Sequence, residues 1–196
     1  MKRLFFNIVV VFIFLTLLSG CDNKAQMVGG KVDESFVKSK ILSLIVQSSA
    51  FTDRTFIPVE HTCDGEDLSP DLSWREVPVG IESFVIICDD PDAPGGNWVH
   101  WIIYDLPADL RSIPKGIDDL PKLPDGSMQG KNDFDRIGYN GPCPPPGKPH
   151  RYKYKVYALD KKIGLPPGSS RTEVLKAIKG HIKSRGVLIG TYQRLN

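Results

Sequence analysis

The chain has 196 residues, 41% hydrophobic and 24% charged, with 18 glycines and 16 prolines spread along it. That is ordinary globular composition, sized for one domain of many short elements plus a leader. With the leader's Lys2 and Arg3 set aside, 23 of the 25 basic residues remain against 23 acidic ones, and this neutral balance excludes the electrostatic footprint of a nucleic-acid binder.

Residues 1–20 have the layout of an export signal. Lys2 and Arg3 give a basic start, Ile8 to Leu18 is apolar apart from Thr16, and Ser19 and Gly20 are small. The run is short for a membrane span. One reading is an ordinary signal peptide with a chance cysteine behind it. The favoured reading is a bacterial lipoprotein signal, because Leu18-Ser19-Gly20-Cys21 resembles the lipobox, whose cysteine thiol carries diacylglycerol. More than one acyl chain gives stable anchoring. Asp22 resembles the signal that retains such proteins on the periplasmic side of the inner membrane in Gram-negative cells; a Gram-positive cell would hold the protein on its outer face. Residues 21–39 are polar with Gly29-Gly30 and read as a flexible tether, although Phe36-Val37 would also suit an ordered extension. The domain is expected over residues 40–196.

Along the domain, short β-type runs alternate with turn signals. Strands are expected at Ile41–Val46, Leu72–Trp74, Ser83–Cys88, Trp98–Tyr104, Tyr152–Leu159 and Val187–Tyr192. SFVIIC at Ser83–Cys88 is continuously apolar, as for a strand buried on both faces. YKYKVYAL at Tyr152–Leu159 alternates and should keep one wet face. Ser170-x-x-Glu173 is a capping-box pattern. Val174, Leu175, Ile178, His181 and Ile182 then share a face at helical spacing. The expected class is mostly β (β-rich α+β), antiparallel, with one late helix.

Beyond Cys21 there are three cysteines. Cys88 sits in the most apolar run and reads as a buried small hydrophobe. Cys63 and Cys143 lie in turn-rich loops, and an exported protein meets oxidising conditions. Three pairings are open from the residues alone, with Cys63–Cys143 the expected one.

The familiar catalytic signatures are missing: there is no G-x-S-x-G and no H-E-x-x-H. GPCPPPGKP fails as a phosphate loop, because Pro149 stands where Ser or Thr is required and prolines delete the N–H groups such a loop uses. What remains is a constellation. Asp89-Asp90-Pro91-Asp92-Ala93-Pro94 follows the buried strand, Asn97-Trp98-Val99-His100-Trp101 opens the next, and the proline loop from Gly141 ends in His150-Arg151-Tyr152. Each has an ordinary alternative. The aspartates cap turns, His100 and the tryptophans belong to the core, Arg151 is a surface ion-pair residue, and His61 and His181 are structural. Together, two imidazoles, two carboxylates and Gly-Pro turns point to a polar pocket for an anion, with the aspartates fixing the imidazole tautomers.

At these residues the chain resembles the phosphatidylethanolamine-binding proteins, also called Raf kinase inhibitor proteins, most closely their bacterial YbhB/YbcL group. DPDAP, the W-x-H-W stretch and GPCPPPGKPHRY carry the resemblance. IPVEHTCDGEDLSPDLSW and YALD support it, from about Phe51 to Tyr192. It implies a large antiparallel sheet packed on a smaller one, and a preformed pocket for phosphate, phosphorylethanolamine or carboxylate groups. Asp90 and His100 match the pocket's acid and histidine. His150 and Tyr152 match its second histidine and its tyrosine. Gly141 and Pro142 match its wall, Trp98 its rim, and Asp92 the acid that braces the loop. The chain ends at Asn196, soon after its last strand, so the pocket is expected to be more open than in relatives with a closing C-terminal helix.

Three functions compete. The first is an anion- or headgroup-binding regulatory or inhibitory module of the cell envelope, partnered by a small anion, an envelope protease or another protein. The second is an envelope hydrolase using Asp90, His100 and His150 as acid and base, with a metal-bound variant. The third is a structural lipoprotein. Binding without a cofactor, metal or catalytic step is the expected answer.

Overall fold

The structure is a computed structural model and describes residues 42–195. The export signal, Cys21 and the tether expected over residues 21–39 lie outside the described residues. The strands, in chain order, are β1 (Leu42–Ser43), β2 (Ile45–Gln47), β3 (Thr55–Phe56), β4 (Leu72–Arg75), β5 (Ser83–Asp90), β6 (Trp98–Pro107), β7 (Ser112–Ile113), β8 (Met128–Gln129), β9 (His150–Leu159) and β10 (Ile182–Tyr192), with helix α1 (Arg171–Ile178) before the last.

Two sheets result. The larger runs β1-β10-β9-β5-β6-β8, with β3 also on β10; the smaller is β2-β4-β7. Pairing is antiparallel except where β1 and β3 join β10 in parallel. The single strand expected at Ile41–Val46 is therefore two. Leu44 donates its N–H to the Arg185 carbonyl at 3.1 Å, and the chain then leaves the large sheet for the small one. The crossing is tight: a Cβ on Gly186 would collide with the Leu44 carbonyl.

The core has two parts, one on each face of the large sheet. Phe84, Ile86, Trp101 and Tyr154 meet Leu72 and Trp74 of the small sheet on one face, with the Trp74 and Phe84 rings 5.2 Å apart. Val85, Ile87, Ile102 and Tyr104 meet Val174 and Ile178 of α1 on the other. All eight residues of β5 are buried, as its unbroken apolar run requires. Each such large apolar side chain contributes about 1.5–3 kcal/mol on burial. β9 alternates as expected: Tyr152, Tyr154, Val156 and Ala158 point inward, while Arg151, Lys153 and Lys155 reach water.

Helix α1 carries the capping box. Glu173 Oε2 accepts from the Ser170 backbone N–H at 2.8 Å, and these Ser170 bonds hold its carboxyl below its usual range. The helix is shorter than its apolar spacing predicts. It ends at Ile178, and Gly180 (φ 85°) turns the chain. His181 and Ile182, expected on its apolar face, instead lie in the turn and in β10; His181 Nδ1 bonds Asp160 at 2.8 Å. No described helix is long and apolar enough to cross a membrane.

Candidate functional site

β9, β5 and β6 are neighbours, and β5 runs antiparallel to both others. The end of β5 therefore lies beside the starts of β6 and β9. This brings together Asp90 from β5, Trp98 and His100 from β6, and His150 and Tyr152 from β9. All five line a cavity of about 230 Å³. A bulge sets His100. Cys88 pairs with Trp101 but Asp89 pairs with Val99, so β6 carries one extra residue there. His100 and Trp101 consequently share the inner face, the kind of re-aiming that bulges provide beside sites.

Two hydrogen bonds fix the imidazoles. The Asp90 carboxylate accepts from His150 Nδ1–H at 2.7 Å and from the Asp92 backbone N–H at 2.7 Å. His100 Nδ1 lies 2.6 Å from the Asn140 carbonyl, which can only accept. Each ring thus offers Nε2 as its remaining polar atom. Burial holds the His100 pKa below its ordinary value, so the free ring is neutral near pH 7. Tyr152 packs edge-on against His100, with ring centroids 5.1 Å apart. Its hydroxyl is buried, and none of the described residues hydrogen-bonds it. Burial and then the nearby Asp90 charge raise the Tyr152 pKa well above its usual value, so it remains a donor.

The loops complete the wall. Pro144, Pro145, Cys143, Pro94 and Phe134 line the cavity with the strand residues. Gly141 and Pro142, expected as the wall itself, are not among the lining residues. They are buried behind it, with Gly141 N–H donating to Asp67 at 2.7 Å and the Pro142 carbonyl accepting from Cys63 N–H at 3.1 Å. A Cβ on Gly141 would collide with the His61 carbonyl and the Asp67 carboxylate, so that close approach requires glycine. Cys63 and Cys143 are disulfide-bonded, with Cα atoms 5.4 Å apart, and Cys88 is a free buried thiol. Asp92 stands outside the cavity. It grips Arg151 through two side-chain bonds of 2.6 and 2.7 Å, tying the DPDAP turn to β9. Arg151, chiefly, lowers the Asp92 pKa to about 2.

Phe134 and Asp67 were not legible as site residues. Phe134 contacts both Trp98 and His100 edge-on, with centroids 5.5 and 5.2 Å away. Asp67 holds Gly141 and also Asn140, whose carbonyl fixes His100. His61, left without a partner by the sequence, is buried with Nδ1 2.8 Å from the Leu68 carbonyl. Among the described residues no group of three or more His, Cys, Asp or Glu side chains is arranged to hold a metal ion.

The model of the phosphatidylethanolamine-binding protein family matches residues 47–193. The chain belongs to this family. Its relatives include a UPF0098 protein of Methanothermobacter thermautotrophicus, 48% identical over 149 residues, covering 76% of this chain and 98% of the relative. A UPF0098 protein of Pyrococcus abyssi is 41% identical over 190 residues, covering 95% and 98% respectively. Among solved structures, Escherichia coli YbcL superimposes with a TM-score of 0.73 at 34% identity, over 78% of this chain and 99% of YbcL. The two-sheet architecture with one helix is thus the fold of phosphatidylethanolamine-binding proteins. The relative from Methanothermobacter thermautotrophicus consists almost wholly of the matched region.

Proposed function

We propose that this member of the phosphatidylethanolamine-binding protein family is an anion-binding module of the cell envelope, held at the membrane by lipid on Cys21. Its pocket takes a phosphate or carboxylate group, free or on a headgroup or protein partner, and its role is regulatory or inhibitory. One observation carries the reading: the Tyr152 hydroxyl is a buried donor with no hydrogen-bond partner among the described residues, and Tyr152 lines a cavity together with two fixed imidazoles. Burying such a group costs about 1–3 kcal/mol unless something accepts from it. An anion oxygen would accept from it and from protonated His Nε2 groups. The hydrolase reading would have to use water as its nucleophile. Among the described residues no serine or threonine lines the cavity, and Cys143 is in the disulfide.

Titrating isotope-labelled residues 40–196 with phosphate, phosphorylethanolamine and acetate, while following the imidazoles of His100 and His150, tests the pocket. Saturable shifts at both rings are expected, and their absence with all three anions would reject it. Lipid labelling of the full chain, lost on Cys21→Ser, tests the anchor and the export reading together.

A further inference from the structure

We propose that the outer face of β9 and β10 is a second binding surface, a groove that lays the domain against a layer of anionic lipid headgroups. The groove is about 600 Å³ and larger than the Tyr152 cavity. Cross-strand register builds it from three mixed pairs: Lys153 with Ile189, Lys155 with Val187, and Tyr157 with Arg185. Facing residues in adjacent strands point to the same side, so cations and apolar groups alternate across one surface. Val187 is 46% exposed. No acidic side chain is among the described residues lining the groove.

The nearest acids are already engaged. Asp89 neutralises Lys155 at 2.6 Å, Asp92 grips Arg151, Asp160 pairs with His181 and Lys183, and Asp53, which accepts the Ile189 N–H, pairs with Arg54 at 3.4 Å. Lys153 and Arg185 remain without an acidic partner among the described residues. The domain is neutral overall, yet this face is locally positive. Interleaved cations and apolar groups suit an anionic interface, where each nearby Lys or Arg is attracted to phosphate and apolar side chains enter the headgroup boundary.

The position of the leader selects a membrane as the occupant. Ser43 and Leu44 line the groove, so the chain leading back to Cys21 joins the domain at its rim. About twenty intervening residues reach at most about 70 Å. This step rests on the reading of Cys21 as a lipid anchor. The Tyr152 cavity lies on the opposite face of the sheet, with Tyr152 in the core between the sheets. Docking through the groove therefore leaves that cavity uncovered.

Flotation of residues 40–196 with phosphatidylcholine vesicles, with and without phosphatidylglycerol, tests the surface. Binding only to vesicles with phosphatidylglycerol, weakened by salt, is expected. A Lys153→Gln/Arg185→Gln variant should bind roughly thirtyfold more weakly, from two charges at the surface, with unchanged acetate affinity. Tyr152→Phe should bind these vesicles like the parent. Absence of binding, equal binding by the double variant, or loss on Tyr152→Phe alone would overturn the groove. So would capture of a soluble polyglutamate peptide without vesicle binding. A full chain lacking lipid at Cys21 would remove the anchor reading, while the vesicle arms still decide the groove.

Discussion

Replacing Tyr152 by Phe removes one oxygen and leaves the ring that packs against His100 in place. The hydroxyl makes no hydrogen bond to any described residue, so the described fold loses no internal bond. The unfolding free energy should therefore stay level or rise, by up to about 1–3 kcal/mol as that unpaired donor is removed, at roughly 2–4 °C per kcal/mol for a domain of this size. Anion binding should respond differently. A hydrogen bond to a charged acceptor is worth about 1.5–3 kcal/mol, so affinity should fall roughly ten- to a hundredfold. Calorimetric titration with phosphate and a thermal melt on the same preparation give both quantities. Equal affinity in parent and variant would refute the reasoning, and so would a loss of stability as large as the loss of binding.

His100 sets a pH dependence. Its pKa is depressed in the free fold from 6.5, and a bound anion would raise it, so protons are taken up on binding. Acetate keeps its charge between pH 8 and about 6, and its affinity should rise as pH falls across that interval; a flat or opposite profile by calorimetry would exclude proton-coupled binding at His100. The ligand-free domain should show the reverse trend in stability. The unfolded ring protonates first as pH falls through 6.5, so the His100 contribution is present above that value and is lost progressively below it. Removing the disulfide by Cys63→Ala/Cys143→Ala opens a loop spanning 80 residues. It should cost about 2–5 kcal/mol in denaturant unfolding, and an unchanged midpoint would show that the bond does not constrain the unfolded chain. Substituting Ala for Pro144 to Pro146 loosens the wall before binding. Affinity should drop several-fold while the domain stays folded, with about 1–3 kcal/mol of stability lost to the freer unfolded chain, and unchanged affinity would show that the prolines do not preorganise the pocket. Gly141→Ala should destabilise the fold by several kcal/mol, because its Cβ meets backbone and a carboxylate; a melting temperature equal to the parent's would contradict that close approach.

What the sequence could and could not say follows from range. SFVIIC announces β5 because burial on both faces leaves an unbroken apolar run, and Ser170-x-x-Glu173 announces α1 because a capping box is local. Asp90, His100, His150 and Tyr152 were legible through three motifs at strand ends, since strand ends put their side chains where loops converge. Other features depend on contacts made far along the chain. Counted back from Trp101 and Ile103, strict alternation would send His100 to the helix side; only the pairing with β5 reveals the extra residue that keeps it on the pocket side. Leu44 changes sheets because β10 and β4 compete for its neighbours, and nothing within Ile41–Val46 marks that break. Asp67 reaches Gly141 across 74 positions, and Phe134 reaches His100 from a loop with no periodicity. The groove on β9 and β10 was half legible. YKYKVYAL foretold a wet strand face, but the same pattern suits any solvated edge. It gains meaning only when antiparallel register sets Arg185, Val187 and Ile189 of β10 beside it, and the N-terminal chain enters at its rim. The two surfaces lie on opposite faces of the sheet: Tyr152, with its unpartnered hydroxyl, is in the core between the sheets, and Lys153 and Arg185 line the groove on the other side.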